Sequence, residues 1–262
     1  AKVTERVTMS MDMQYFKEQR FYPSGADGVG TNNNFWRDLI YGADPTFPSS
    51  LPDPTRMAYA GIPYGSPLFA TNSDLSGYQD KNNNITQLKG EVKYDFKNIP
   101  GLNAKGSVIF RNNSFDQKVV KKQMDFYTYN ADNDQYTFVR SSQDPKFISK
   151  VSSANRKIVQ QYSLNYTKSF LDAHNFSGML LYEYHYENGN SLDASRGGYK
   201  SMALEELFAG DPTTSANNSS SYNNGRTSWI GRLNYNYLDR YMVETRSGES
   251  ARASAATRSI HS

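Results

Sequence analysis

At 262 residues the chain is long enough to bury a sizeable core, yet apolar residues make up only 37% of it and mean hydropathy is −0.75. Few aliphatic side chains, 20 Tyr, 14 Phe and abundant Asn and Ser argue against a helical or doubly wound domain. They suit a large antiparallel sheet with one wet face. The net charge is +3, of which three Arg and one Glu in 245–262 supply +2, and no basic cluster with interleaved aromatics occurs, so nothing points to nucleic acid.

The absence of cysteine removes disulfide scaffolds, thiolate metal sites and cysteine nucleophiles. No signal peptide is recognisable, and no apolar run approaches the ~20 residues of a membrane helix. Barrel strands are not excluded, because they need only ~10 alternating residues.

A first strand is expected near residues 3–16, where Val7, Met9, Met11, Met13 and Tyr15 alternate with Thr8, Ser10, Asp12 and Gln14. A long Gly-, Pro-, Asn- and Asp-rich connection follows over 17–84, with one helical candidate at 34–41 (NFWRDLIY). Strict alternation then places Leu88, Gly90, Val92, Tyr94 and Phe96 on one side and Gln87, Lys89, Glu91, Lys93 and Asp95 on the other. The pattern breaks at 97–101, where Pro100 cannot donate to a ladder and Gly101 tolerates positive φ. It resumes with Leu102, Ala104, Gly106, Val108 and Phe110, which predicts a long hairpin whose second strand ends near Asp116.

A polar excursion over 117–156 holds possible short pairing between 126–129 and 136–139. A fourth strand carries Tyr162, Leu164, Tyr166 and Phe170, and a short turn at 171–174 leads to a fifth with Phe176, Gly178, Leu180, Tyr182, Tyr184 and Tyr186. A third long loop over 190–223 contains a helical piece at 201–209 (SMALEELFA). The sixth strand presents Trp229, Gly231, Leu233, Tyr235 and Tyr237, and a turn at 238–240 opens a seventh at Tyr241.

Long and short connections therefore alternate along the chain. With one aromatic-rich face per strand, that asymmetry predicts an all-β, antiparallel, up-and-down transmembrane β-barrel segment with short periplasmic turns and long extracellular loops. Tyr94, Tyr166, Tyr235, Tyr237 and Tyr241, near the turn ends, fit an interface girdle, because a phenol can place its ring in acyl chains and its hydroxyl among headgroups. A soluble sandwich or jelly roll also alternates. Expected strands of 12 to 16 residues, against a usual ~5–6, favour the barrel.

Motifs for chemistry are scarce. His174, His185 and His261 have no metal-site spacing, and Glu183, His185 and Glu187 read as part of a polar strand face. Asp132, Asn133 and Asp134 lack the glycine and acidic residue of a calcium loop, and the glycines of 25–30 are not flanked as a dinucleotide fingerprint requires. No nucleophile–base pair stands out, and neither an enzyme activity, a cofactor nor a metal is expected.

Residues 225–241 (GRTSWIGRLNYNYLDRY) resemble the GR-NY-Y-DRY segment of SusC/RagA-type TonB-dependent outer-membrane transporters. Residues 77–84 (GYQDKNNN), followed by a strand and IPGL at 99–102, resemble another stretch of that family. The resemblance covers about 3–244 and implies a large barrel with an N-terminal plug, importing oligosaccharides or peptides with energy from TonB beneath a SusD-like surface lipoprotein. The plug, the TonB-contacting segment and the export signal are not found in this sequence, and seven strands do not make the even count of a standard bacterial barrel.

The expected organisation is thus a partial barrel over 1–244 and a tail over 245–262 (TRSGESARASAATRSIHS), which has no aromatic and no alternation. The break falls inside a strand, which points to an out-of-frame or truncated reading, with a disordered tail as the alternative. Loop aromatics able to stack on a sugar face are Trp36, Tyr64, Phe69 and Tyr78, with Arg37 and Asp38 beside them to hydrogen-bond hydroxyls. Packing of the loops into a lid is the competing role for each. The expected function is binding and import of oligosaccharide or peptide across the outer membrane without chemistry. A passive porin or adhesin barrel and a soluble carbohydrate-binding β-module stand as alternatives.

Overall fold

The computed structural model describes residues 2–24, 34–62, 64–142, 146–171, 173–238 and 240–261, the last eight as backbone only; the glycine-rich 25–30 lies outside them. Among these, seven long strands form one antiparallel up-and-down sheet: β1 (Val7–Pro23), β3 (Gly77–Asp95), β4 (Leu102–Lys121), β7 (Phe147–Phe170), β8 (His174–Gly197), β9 (Ala216–Tyr237) and β10 (Tyr241–His261), in that spatial order. A second sheet joins β2 (Met57–Ala58) to the hairpin of β5 (Asp125–Asn130) and β6 (Gln135–Ser141). The expected pairing of 126–129 with 136–139 is this hairpin, with a register shift between Phe126 and Tyr127.

All seven expected strands are present, but they run further toward the long-loop edge than alternation indicates. The connections over 17–84, 117–156 and 190–223 shorten accordingly to 24–76, 122–146 and 198–215. In much of the added length polar residues stand on both faces, as at Asn82, Asn83 and Asn84, with Phe115, Val120 and Ile148 among them as apolar interruptions. A two-sided polar stretch carries no period-two signal, yet its backbone ladder forms equally well.

The same reason applies to 245–261. Instead of leaving the sheet as a disordered tail, this stretch continues β10, paired with β9 from Tyr241↔Tyr237 to His261↔Asn217. The helical candidate at 34–41 is one short helix, α1 (Asn34–Arg37), running into a π turn over Asp38–Gly42. The piece at 201–209 is not an α-helix: only Leu207–Ala209 makes a 3₁₀ turn, and the segment is drawn out to reach Lys118 of β4, Lys122 just after it and Lys150 of β7.

Cross-strand register sorts the sheet into two faces. One row runs Met9↔Val92↔Gly106↔Tyr162↔Tyr182↔Trp229, and the row two residues away runs Met11↔Gly90↔Val108↔Gln160↔Tyr184↔Thr227. The interleaved row on the opposite face runs Ser10↔Glu91↔Ser107↔Gln161↔Glu183↔Ser228.

The turns do not share a register. The first hairpin closes at Asp95↔Asn103, one residue beyond the row of Tyr94, Ala104, Leu164, Leu180 and Gly231, whereas Phe170↔His174 and Tyr237↔Tyr241 close six residues beyond it. All five residues of this drift fall between the first and second hairpins; averaged from the first hairpin to the third, they spread over four strand intervals. At roughly 3.3 Å per residue and 4.8 Å between strands, turns on one level imply a strand tilt of roughly 40°, within the 35–45° of β-barrels.

The turn chemistry is local. Gly101 sits at φ +92°, and a Cβ there would stand 1.9 Å from the Thr167 carbonyl oxygen, which is why the first hairpin turn takes glycine. Leu171 and Leu238, both at φ 52°, hold left-handed positions in the other two. Among the described residues no helix is long and apolar enough to cross a membrane, which says nothing of crossing by strands.

Candidate functional site: a polar wall and two caps

The polar face is a connected wall. Glu183 accepts from Gln161 Nε2 at 2.8 Å and from Arg226 Nη2 at 3.0 Å, and the Ser107 hydroxyl donates to Gln161 Oε1 at 3.4 Å. Glu91 holds Lys105 at 2.9 Å and Lys89 at 3.4 Å. Further toward the long loops, Glu187 accepts from Asn155 Nδ2 at 2.7 Å and from the Tyr222 hydroxyl at 3.0 Å, with His185 Nε2 at 3.7 Å. Glu183 and Glu187 are therefore hydrogen-bonded into this wall, whereas His185 Nε2 is buried and makes no hydrogen bond among the described residues. No group of three or more His, Cys, Asp or Glu among the described residues is arranged to hold a metal. Acidic, basic and amide groups lie side by side across the wall, so the face offers both hydrogen-bond donors and acceptors and no single dominant charge.

The opposite face is apolar and unpartnered. Met11 (79% exposed), Leu180 (50%) and Trp229 (54%) lie open on it, and the glycine-bearing rows leave a shallow depression of about 700 Å³ bounded by Val92, Tyr162, Leu164, Tyr182 and Trp229. Large contiguous apolar patches are uncommon on soluble monomers and mark surfaces that meet a partner or lipid. Tyr94, Tyr166, Tyr235, Tyr237 and Tyr241 all belong to this face. They lie respectively on, two, four, six and six residues beyond the Tyr94 row, so they follow the slant of the turns and come to one level near the short-turn edge.

The described residues of 24–76 fold into a cap on the polar side. Phe35, Leu39, Ile62 and Ala70 form its core, against which Tyr22 of the polar face of β1 packs. The Ser24 hydroxyl donates to the Ser76 carbonyl at 2.7 Å and Gln79 Nε2 to the Ser24 carbonyl at 3.0 Å, tying both ends of the segment together. A second core joins this cap to the small sheet: Phe126, fully buried, stands edge-on to Phe69 at 5.2 Å. Gly65, at φ +85°, leaves room for the Phe126 ring, which a Cβ would approach to 1.9 Å.

The segment 198–215 folds the other way, as a strap on the apolar side. Tyr199, Met202 and Leu207 cover Val120 and Ile148, which register places on the same face as Phe110 and Ile158. Glu205 accepts from the Tyr78 hydroxyl at 2.7 Å and pairs with Lys122 at 3.0 Å, and Glu206 pairs with Lys150 at 2.6 Å. Burial opposes ionisation of Glu205, but the Tyr78 hydroxyl and the Lys122 and Lys118 ammonium groups outweigh it and hold the carboxyl below the ordinary glutamate range. Burial and the same carboxylate push the Tyr78 phenol up.

The sequence-expected ligand residues therefore separate. Trp36 is exposed and edge-on to Phe35 at 5.0 Å, Tyr64 meets the same ring at 4.9 Å, and Arg37 Nη2 pairs with Asp38 Oδ1 at 3.0 Å. These four form one group on the cap, where an indole and a guanidinium–carboxylate pair can stack on and hydrogen-bond a polar solute. Phe69, 4% exposed, fills the core, so it is not open to a ligand. Tyr78 is not a loop residue: it lies in β3 on the apolar side, stacked on Phe21 at 5.1 Å beneath the strap. The clasp of Glu205 and Glu206 is not legible in the sequence, because its lysines lie far away along the chain and the local pattern reads as a helix.

Fold and site together define a class: a tilted, two-faced, all-β barrel-like sheet with a hydrogen-bonded polar wall and an open apolar surface. Among solved structures, that of the RagAB peptide transporter matches 98% of this chain with a TM-score of 0.56 at 14% sequence identity. The match shows the fold, and the chain spans about a quarter (26%) of the length of that chain. No family model and no curated protein matches the sequence.

Proposed function

We propose that this chain forms part of the wall of a SusC/RagA-type, TonB-dependent outer-membrane importer. Its apolar face lies in lipid, its polar face lines the lumen, and its cap stands over the lumen on the extracellular side. The observation that carries the reading is the coincidence, on one tilted sheet, of an apolar face bordered by tyrosines at the short-turn edge and a wired polar face opposite.

The cargo is a peptide or oligosaccharide, held at Trp36, Arg37, Asp38 and Tyr64 and passed along the Glu183–Arg226 wall by exchange of hydrogen bonds, with no bond made or broken. The fold likeness to a peptide transporter supports a peptide, and the exposed indole edge serves either solute. A surface lipoprotein of SusD type as lid and TonB as energy source complete the proposed assembly.

The chain has no cysteine, so single cysteines report directly on the two environments. In lipid vesicles, a water-soluble maleimide is expected to label Gln161→Cys and to leave Leu164→Cys unlabelled until detergent is added. Equal labelling of both before detergent contradicts the membrane reading. Competition between labelled peptides and labelled oligosaccharides for binding, compared in the parent and Trp36→Ala proteins, then separates the two cargo classes.

A further inference from the structure

Under the strap lies a cavity of about 380 Å³ that the transport reading does not use. It opens on the apolar side of the sheet, toward the long-loop edge where polar residues also stand on that face, and its size lies within the ~300–1,000 Å³ of small-ligand sites. Its floor is set by register: Asp116, Ser152 and Leu192 in one row, and Asp80, Lys118, Lys150 and Ala194 in the next but one. Leu207 of the strap covers one side of it, and Asp116, Ser152 and Leu192 are exposed.

Both carboxylates are held on one oxygen. Asp116 Oδ1 accepts from the Ser152 hydroxyl at 2.7 Å, and Asp80 Oδ1 accepts from Gln19 Nε2 and Asn82 Nδ2, each at 3.2 Å. Their Oδ2 atoms receive no hydrogen bond among the described residues. The lysines are committed to the strap, Lys150 to Glu206 at 2.6 Å and Lys118 to Glu205 at 3.9 Å. With Lys122, three ammonium groups face four carboxylates here, so no surplus positive charge exists to hold a phosphate or carboxylate ligand.

We propose that this cavity binds a neutral sugar residue. Adjacent hydroxyls donate to the fixed carboxylates Asp116 and Asp80, the ammonium of Lys118 or Lys150 donates to a sugar oxygen, and the C–H face of the ring rests on Leu192 and Leu207. Oriented acceptors paired with a small apolar floor suit a polyol better than an apolar or a charged ligand. The site is on the opposite face from the cargo group at Trp36.

The test is saturation-transfer NMR and calorimetry on the detergent-solubilised protein with D-glucose, D-galactose and D-mannose and their disaccharides. At least one is expected to bind, Ala194→Phe is expected to fill the cavity and weaken binding roughly tenfold or more, and Asp116→Asn to weaken it severalfold. Glucose 6-phosphate, as an anionic control, is expected not to compete. Absence of binding by every neutral sugar, undiminished binding in Ala194→Phe, or stronger binding of the anionic control overturns the assignment. If circular dichroism shows that Ala194→Phe has lost its strands, Asp116→Asn decides alone, and unchanged affinity there overturns it.

Discussion

Tyr78 and Glu205 stand 127 residues apart and share a 2.7 Å hydrogen bond that fastens the strap to the sheet. The bond is charge-assisted and partly shielded, and Lys122 supports it from the other carboxylate oxygen. Tyr78→Phe is expected to loosen the strap by about 1 kcal/mol, and Glu205→Ala by more, since that change also leaves Lys122 without its ion pair. Hydrogen exchange in 199–207 is the measurement: faster exchange there, with the sheet unchanged, is the expected outcome.

The same clasp should respond to acid. Glu205 has a docked-state carboxyl held below the ordinary 4.5, so its contribution is complete above that value and is lost as pH falls through the lowered one. A thiol-reactive fluorophore on Met202→Cys is expected to report a docked strap at neutral pH and release only in strong acid. In Glu205→Gln this acid-induced release should shrink to the part carried by Glu206, which Lys150 also holds below the ordinary glutamate range. Release that begins well above pH 4.5 contradicts the assignment.

Gly65 makes room for Phe126 in the core joining the cap to the small sheet. Gly65→Ala places a methyl group inside the ring at a backbone angle that L residues rarely adopt, and a loss of at least about 2 kcal/mol in local stability is expected. Limited proteolysis should then cut within 24–76 and 122–146 while the seven-stranded sheet stays intact.

Leu171 and Leu238 occupy left-handed positions in two hairpin turns, and Leu171 is 88% exposed. Replacing either with glycine relieves a strain of about 1–2 kcal/mol and adds chain entropy to the unfolded state. A net gain of about 0.5–1 kcal/mol in urea unfolding is expected for each, additive in the double variant because the two turns are separate.

Leu180, half exposed in the middle of the apolar face, distinguishes a lipid-facing sheet from a soluble one. Leu180→Arg is expected to cost about 2–4 kcal/mol when the protein folds in lipid. On a water-exposed surface the same change would stay within about ±0.5 kcal/mol.

What was legible in the sequence was whatever period two could carry. Leu88 to Phe96 by alternate residues, Leu102 to Phe110 and Phe176 to Tyr186 announce strands, faces and turns, because one face is apolar and the other polar there. Asn82, Asn83 and Asn84 announce nothing, since polar residues on both faces erase the alternation while the backbone ladder continues. The cap group of Trp36, Arg37, Asp38 and Tyr64 could be chosen as exposed loop aromatics with polar neighbours. Phe69 and Tyr78 looked equivalent to them, because burial by Phe126 and by the strap depends on partners far away in sequence. The segment 201–209 reads as a helix for the same reason: Glu205 and Glu206 satisfy lysines on β4 and β7, and those contacts outweigh local propensity.

The central claim, that the apolar face lies in a bilayer, is tested most directly by the fluorescence of Trp229. The chain has two tryptophans, so Trp36→Phe leaves Trp229 as the sole reporter, beside Tyr182 at 4.8 Å on that face. In vesicles of lipids brominated along their acyl chains, strong quenching of Trp229 is expected, together with weak quenching by iodide in the water. Strong iodide quenching with no effect of the brominated lipids would contradict the account.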